Sequence, residues 1–499
     1  MVTDLEATLR PEVTAFLHRD HALIIGDQRP AASDGGLLDV HDPATGALIA
    51  RVAAGTAADV DAAVAAARAA LPVWNDLSPA ARADLLWRLG EEIERRAVEL
   101  GQLDTLDNGK PTSESAALDV PLCASIFKYY AGWATKIDGE TITPSGGAAF
   151  HVYTRREPVG VVGAIIPWNF PLLMVGYKLG PALAAGNTVV LKPAEQTPLS
   201  ALRLVELALE IGFPPGVINV VTGDGEGAGA PLSRHPDVDK ITFTGENATG
   251  RKILEASGAN MKRLSLELGG KSPSLVFDDA DLDAAIAGTF GAVYFNQGQC
   301  CIAGARVFVH RSLYEPFVDG LAAKVRAIRL GNGLDPATTM GPVVSGEQQS
   351  RVNGMITSGV EQGATAVVGG GTVRLPELAD GFFVEPTLFT DVHRDMTIMQ
   401  REIFGPVGMV GTFDTEEEAI ALANDTQFGL ASGIWTRDVK RTHRVAAKIN
   451  AGVVWANTYG MFDVAIPYGG FKASGYGKEL GREALDPYLQ TKTVWIDLG

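Results

Sequence analysis

Between residues 158 and 270 the chain repeats one pattern, in which short apolar runs alternate with helical stretches. The runs are VVGAIIP, NTVVLKP, VINVVTG, KITFTG and LSLELGG. Apolar runs this short and this continuous suit strands buried on both faces. That burial requires a parallel sheet with helices above and below it. A helix is expected to follow the first run to about Gly186, and another to start at Thr197-Pro198 and stop at Gly212. A second series follows, near SLVF (274–277), RVFV (306–309), VGMVGTF (407–413), GIWT (433–436) and GVVWAN (452–457). The fold class is therefore α/β, with two doubly wound domains that change over near 268–272.

The N-terminal third reads as helix. AADVDAAVAAARAAL (57–71) carries an apolar stripe through Val60, Val64, Ala67 and Leu71. Ser78-Pro79 has the form of an N-cap followed by proline in the first turn. The helix behind it should place Leu85, Leu86, Leu89, Ile93 and Leu100 on one face. TITPSGGAAFHVYTRREP (141–158) reads as a hairpin with a Gly-Gly turn. KTVWIDLG at the end alternates like a strand but has no obvious partner in the chain. Each could extend a sheet into another subunit or be an ordinary surface strand.

At 499 residues the chain can bury cores large enough to need no disulfide or metal. A net charge of −17 with no basic patch argues against nucleic acid. The longest apolar run, Val159 to Trp168, is half a membrane span and contains a proline, so no membrane insertion is expected. Asp4 and Glu6 argue against a targeting peptide, and a cytoplasmic location is expected. Three cysteines cannot build a disulfide framework. There is no CxxC and the eight histidines show no zinc spacing, so no metal site is expected. The adjacent Cys300 and Cys301 are either two small buried apolar groups or a nucleophile and its neighbour.

Some motifs are weak alone. GEGAGA (225–230) matches a dinucleotide fingerprint in a chain with 57 glycines, and predicts at most a helix N-terminus. ELGGKS (267–272) ends like a phosphate loop but has Ser265 where the first glycine belongs. FTGENATG (243–250) is either a phosphate-attracting helix start or a plain strand–helix turn.

Together, IPWNFPLL (166–173), LKPAEQTP (191–198), LSLELGGKSP (264–273), YFNQGQCCIAGAR (294–306), EIFGPV (402–407) and PYGGFKASGYGKELG (467–481) resemble the NAD(P)-dependent aldehyde dehydrogenase superfamily of the hydrolytic, non-acylating type. The resemblance runs from about residue 35 to the end. It implies a Rossmann-like NAD-binding domain (1–138 and 158–267), a catalytic domain (268–470) and a small β oligomerisation element (139–157 and 482–499). It makes Cys301 the nucleophile and leaves Cys300 pointing elsewhere. Asn169 becomes the oxyanion donor, Glu267 the general base, and Lys178 and Glu479 proton-relay groups. A carboxylate between leucines suits a base, since burial would raise its pKa.

The resemblance further implies that Ile165, Ile166, Pro167, Trp168, Lys192, Glu195, Gly225, Phe243, Gly245, Glu246, Leu268, Gly269, Arg351, Glu402 and Phe404 meet the cofactor. Glu195 would accept ribose hydroxyls and repel a 2′-phosphate, which favours NAD over NADP. Glu246 departs from the family, where serine is common; a carboxylate there must turn to solvent or weaken or re-pose the cofactor. Phe170, Leu173, Tyr177, Phe295, Ile302, Phe462 and Tyr468 would line a substrate tunnel that is aromatic and uncharged. Such a tunnel suits an apolar or aromatic aldehyde. A betaine-aldehyde-like ammonium aldehyde is the alternative, and a thiol esterase or acylating relative a further one. A homodimer or homotetramer is implied.

Overall fold

The computed structural model describes residues 8–146, 149–373 and 375–499. An antiparallel pair, β1 (Leu37–His41) and β2 (Leu48–Ala53), comes first. β3 (Thr141–Ile142) and β4 (Phe150–Pro158) form the expected hairpin, and Gly147 of its turn lies outside the described residues. Five parallel strands follow: β5 (Val161–Ile165), β6 (Thr188–Lys192), β7 (Ile218–Val220), β8 (Lys240–Thr244) and β9 (Arg263–Glu267). They lie in the order β9-β8-β5-β6-β7. Every residue of β5 and β6 is buried, which is why their sequences are apolar without alternation.

The second sheet holds β10 (Pro273–Val276), β11 (Arg306–His310), β12 (Thr365–Val368), β13 (Thr387–Thr390), β14 (Val407–Phe413), β15 (Ala431–Trp435) and β16 (Val453–Ala456). Its order is β12-β13-β14-β11-β10-β15-β16, parallel except for β12 at one edge. A short β17 (Gly475–Tyr476) returns to the first sheet and pairs antiparallel with β9, so the C-terminal segment ties onto the strand that carries Glu267. The architecture is thus two parallel-dominated α/β sheets.

Two expectations need correction. The helix Pro79–Arg95 buries Leu85, Leu86, Leu89 and Ile93 but ends before Leu100, which belongs to a second helix, Ala97–Asn108. The break falls at Arg96, whose guanidinium bonds Glu92 on one side (2.6 Å) and Glu99 on the other (2.7 Å). The terminal strand β18 (Leu489–Asp497) does have a partner in its own chain. It pairs with β4 from Leu489↔Pro158 to Asp497↔Phe150. The partner is more than 300 residues away in sequence, so no local signal marks it. The hairpin β1/β2 and the strands β12, β13 and β17 were also not legible. Among the described residues no helix is long and apolar enough to cross a membrane.

The first domain's core contains a costly acid. Asp104, in the helix Ala97–Asn108, is fully buried; one carboxyl oxygen accepts a 3.4 Å bond from the Leu172 N–H, and the Lys110 charge and the Ser200 side chain offset its burial only in part. Burial pushes its pKa up from 3.8 to about 7. Between those values the native state holds a proton that the unfolded chain has released, so stability falls as pH rises through that window. Asp104→Asn removes the dependence. Its melting temperature relative to wild type should be higher at pH 8 than at pH 5; an equal offset at both would show that Asp104 titrates normally.

Candidate active site

The carboxyl ends of β5, β6, β8 and β9 open into a cleft of about 950 Å³, where ligands of doubly wound sheets bind. The cleft also takes in residues that lead into and out of the second sheet, among them Cys301, Glu402 and Phe404. Every site residue expected from sequence lines it except Lys178.

The thiol is delivered by an uncommon turn. The helix Leu282–Tyr294 gives way to Asn296 (φ 50), Gln297 (φ 56) and Gly298 (φ 68), three successive left-handed residues. Asparagine tolerates that region, and glycine has no Cβ to clash. At Gly298 the need is absolute, because a Cβ would lie 2.1 Å from the Gly405 carbonyl. The turn is the structural content of the Asn-Gln-Gly-Gln that precedes the cysteines.

Cys301 is half-buried, and its Sγ lies 3.2 Å from the Tyr468 hydroxyl. Cys300, expected to point elsewhere, lines the cleft too. The neighbouring Cys300 side chain and burial push the Cys301 thiol well above its ordinary pKa, while the Tyr468 bond opposes them. Cys301 therefore favours its thiol form, and a base would have to take its proton before it could act as a nucleophile.

Asn169 follows β5, in the segment 166–170. Its Nδ2 donates to the Gln299 carbonyl at 2.9 Å, two residues before Cys301. An amide nitrogen carries two hydrogens, so the second remains for another acceptor. Glu267 ends β9, is 4% exposed, and has no hydrogen-bond partner on either carboxyl oxygen. Burial first, and then the nearby negative charge of Glu479, hold its pKa well above the carboxylate range. Lys178 is wholly buried and ion-paired to Glu479, which lines the cleft. Lys178 thus touches the site only through Glu479.

At the far end of the cleft, Lys192 Nζ lies 3.2 Å from Glu195 Oε2. Glu402 accepts the Gly270 N–H at 2.8 Å; burial raises its pKa to about 7, against the pull of that bond and of Arg351. Phe404 sets its ring edge-on to Trp168 at 5.2 Å. Glu246 is the N-cap of the helix Asn247–Ala256 but makes no capping bond. It is more than half exposed and reaches to 3.8 Å from Arg351. Of the alternatives raised by its sequence position, the solvent-facing one is realised, with a cation beside it.

The tunnel end is aromatic as expected. Phe170 stacks on Phe295 at 6.1 Å, and Tyr468 meets Tyr177 at 6.3 Å and Phe462 at 5.6 Å. It is not uncharged, however: Asp119 lines the cleft, buried and paired at 2.7 Å with the buried Lys110. Sequence reasoning missed this pair, and also the roles of Tyr468 toward sulfur and of Asn296 toward Asn169. The one available signal was a lysine directly after a helix-ending Asn-Gly in LDNGKP.

The cleft fits a dinucleotide. Glu195 and Glu402 are acceptor-only when ionised and suit ribose hydroxyls. Gln196 Oε1, from the cleft wall, and Thr244 Oγ1, at the end of β8, are buried without partners.

The aldehyde dehydrogenase family model matches residues 31–494. The mitochondrial aldehyde dehydrogenase of Homo sapiens is 47% identical over 460 residues, 91% of this chain and 88% of that protein. An NAD+ complex of aldehyde dehydrogenase from Bacillus cereus is 47% identical with a TM-score of 0.96, covering 98% of this chain and 99% of that one. Betaine aldehyde dehydrogenase from Staphylococcus aureus, in complex with NAD+ and bearing a BME-modified cysteine, is 39% identical with a TM-score of 0.94, covering 96% and 98%. A full-length match at this identity, over a cleft that joins a thiol to an unpartnered carboxyl group, places the chain in the aldehyde dehydrogenase family.

Proposed function

We propose that the protein oxidises an apolar or aromatic aldehyde to its carboxylic acid, with NAD as the cofactor and Cys301 as the nucleophile. The observation that carries this is the unpartnered Glu267 carboxyl group in the same cleft as the Cys301 thiol. Ionised Glu267 takes the thiol proton, and sulfur attacks the carbonyl carbon. The developing oxyanion is met by the free Asn169 N–H and the Cys301 backbone N–H. Such donors each contribute about 10²–10³ in rate. Lys192, Glu195, Glu402 and Phe404 would hold the dinucleotide, which when bound supplies the hydride acceptor. The acyl group then remains on sulfur as a thioester. Glu267 draws a proton from water, hydroxide attacks the acyl carbon, and the acid leaves with the thiol restored. Glu479 and Lys178 lie behind Glu267 and would carry its proton onward.

NAD is favoured over NADP by Glu195, whose carboxylate would face a 2′-phosphate. The Bacillus cereus and Staphylococcus aureus relatives with NAD+ bound support the same choice. The acylating alternative is disfavoured because Glu267 is present. An ammonium aldehyde remains the second reading, since Tyr177, Phe462 and Tyr468 form an aromatic wall and a betaine aldehyde dehydrogenase is a structural neighbour. Phenylacetaldehyde, hexanal and betaine aldehyde separate the two readings by kcat/KM. Exposed Phe150, Trp495 and Ile496 on β4 and β18 would meet a second copy in a homo-oligomer.

Glu267→Gln should slow the NADH burst with phenylacetaldehyde, because hydroxide must then remove the thiol proton, and should lose steady turnover altogether. Cys301→Ala should lose both phases. Retention of both phases in Glu267→Gln would remove Glu267 from the mechanism. Because Glu267 works only when ionised and its pKa is raised, wild-type deacylation should climb with pH above the ordinary carboxylate range. That limb should vanish in the variant. Glu246→Ser removes a negative charge beside the cofactor's expected path and frees Arg351; the KM for NAD should fall several-fold, and a rise would show that the Glu246–Arg351 pair helps binding.

A further inference from the structure

Lys110 has no place in the chemistry above, yet it is a wholly buried cation. Gly109 (φ 95) ends the helix Ala97–Asn108 in a left-handed cap and turns the chain inward, so the next side chain enters the core. Lys110 Nζ donates to Asp119 Oδ2 at 2.7 Å and to the Asn169 backbone carbonyl at 2.9 Å. It also sits 4.1 Å from the centre of the Phe170 ring. Asp119 alone would neutralise it; the other two contacts both fall on the segment that carries the oxyanion amide.

That segment is held from the same helix end at several points. Asn108 Nδ2 bonds the Trp168 carbonyl at 2.8 Å. Asn296, from the left-handed turn, gives the Asn169 carbonyl a second donor at 2.8 Å. On the other side of the residue, the Asn169 amide is tied to the Gln299 carbonyl. With its main-chain oxygen gripped by two donors and its amide nitrogen by one acceptor, Asn169 has little freedom to swing.

We infer that Lys110 is a positioning residue for acylation: by gripping the Asn169 carbonyl and seating Phe170, it aims the second amide N–H at the oxyanion formed on Cys301. The inference rests on the function proposed above. A purely structural role, in which Lys110 merely joins the helix to the loop, predicts the same bonds but no coupling to the Asn169 amide.

A double-mutant cycle separates them. The pre-steady-state NADH burst with phenylacetaldehyde at saturating NAD+ is measured for wild type, Lys110→Met, Asn169→Ala and the double variant. A misplacement near 1 Å costs about 10²-fold, so Lys110→Met should slow the burst by about 10- to 100-fold. The NAD+ dissociation constant should stay within about twofold. Once Asn169 is alanine there is no amide to aim, and Lys110→Met should then cost less than about threefold. Equal losses in both backgrounds, or none in either, overturn the inference.

If Lys110→Met does not fold, Asn296→Asp removes the other donor to the same carbonyl and tolerates the positive φ. It should show the same loss and the same coupling, and additive losses overturn the inference. Absence of any burst in wild type with phenylacetaldehyde, hexanal and betaine aldehyde defeats the dehydrogenase reading, and this inference with it. A wild-type burst with uncoupled losses defeats the inference alone.

Discussion

The site depends on keeping an acid out of water without giving it a partner. Glu267 has neither carboxyl oxygen bonded and is almost wholly buried. Desolvating an unpaired carboxylate is costly, so the group takes up a proton instead. Cys301 is held in its thiol form by the same dryness and by Cys300. Both groups are thereby biased toward their neutral forms rather than toward an ion pair. This keeps a reactive thiolate from standing exposed until a substrate arrives. In the mechanism proposed above one proton must leave before either group can act, and the Glu479–Lys178 pair is its proposed route.

Placing those two groups needs both sheets. Glu267 ends β9, and Cys301 arrives through a turn that precedes β11. Gly270 lets them converge: a Cβ there would stand 2.1 Å from the Cys301 carbonyl. β17 closes the arrangement by pairing Gly475 with Glu267 itself. A substitution that shifts any of these backbones moves Glu267 relative to the thiol. The glycines of LELGG are thus part of the site although they carry no chemistry.

Much of this was legible in the sequence, for physical reasons that differ by element. Strands buried on both faces announce themselves as unbroken apolar runs, so β5, β6, β8 and β10 could be placed. The short strands β12, β13 and β17 carry no such run, and β18 finds β4 only through the finished fold. The site residues came from motif resemblance, and all but Lys178 line one cleft. What resemblance could not supply was polarity between segments. Lys110 reads as a surface charge after a helix stop, and Asp119 as an acid in AALDVP. Only the fold shows them paired in the dark beside an aromatic wall.

Glu246 illustrates how a departure from a family pattern is accommodated. An acid at the start of a helix is not itself unfavourable, because the first-turn N–H groups carry partial positive charge. The difficulty arises only if a phosphate approaches the same N–H groups. The structure turns the carboxylate outward, more than half exposed, toward Arg351. At 3.8 Å and in contact with water such a pair contributes about 0.2–1 kcal/mol, too little to lock the cleft. Arg351 can therefore leave Glu246 for a phosphate at small cost, and the acid's own charge is screened by solvent. The two residues come from opposite sides of the cleft, the helix after β8 and the helix Gly346–Glu361. Cofactor affinity should then depend on ionic strength less steeply than in a relative with a neutral residue at this position, because salt weakens the attraction to Arg351 and the repulsion from Glu246 together and the two effects oppose each other. A dependence as steep as in that relative would mean that Glu246 does not face the pyrophosphate.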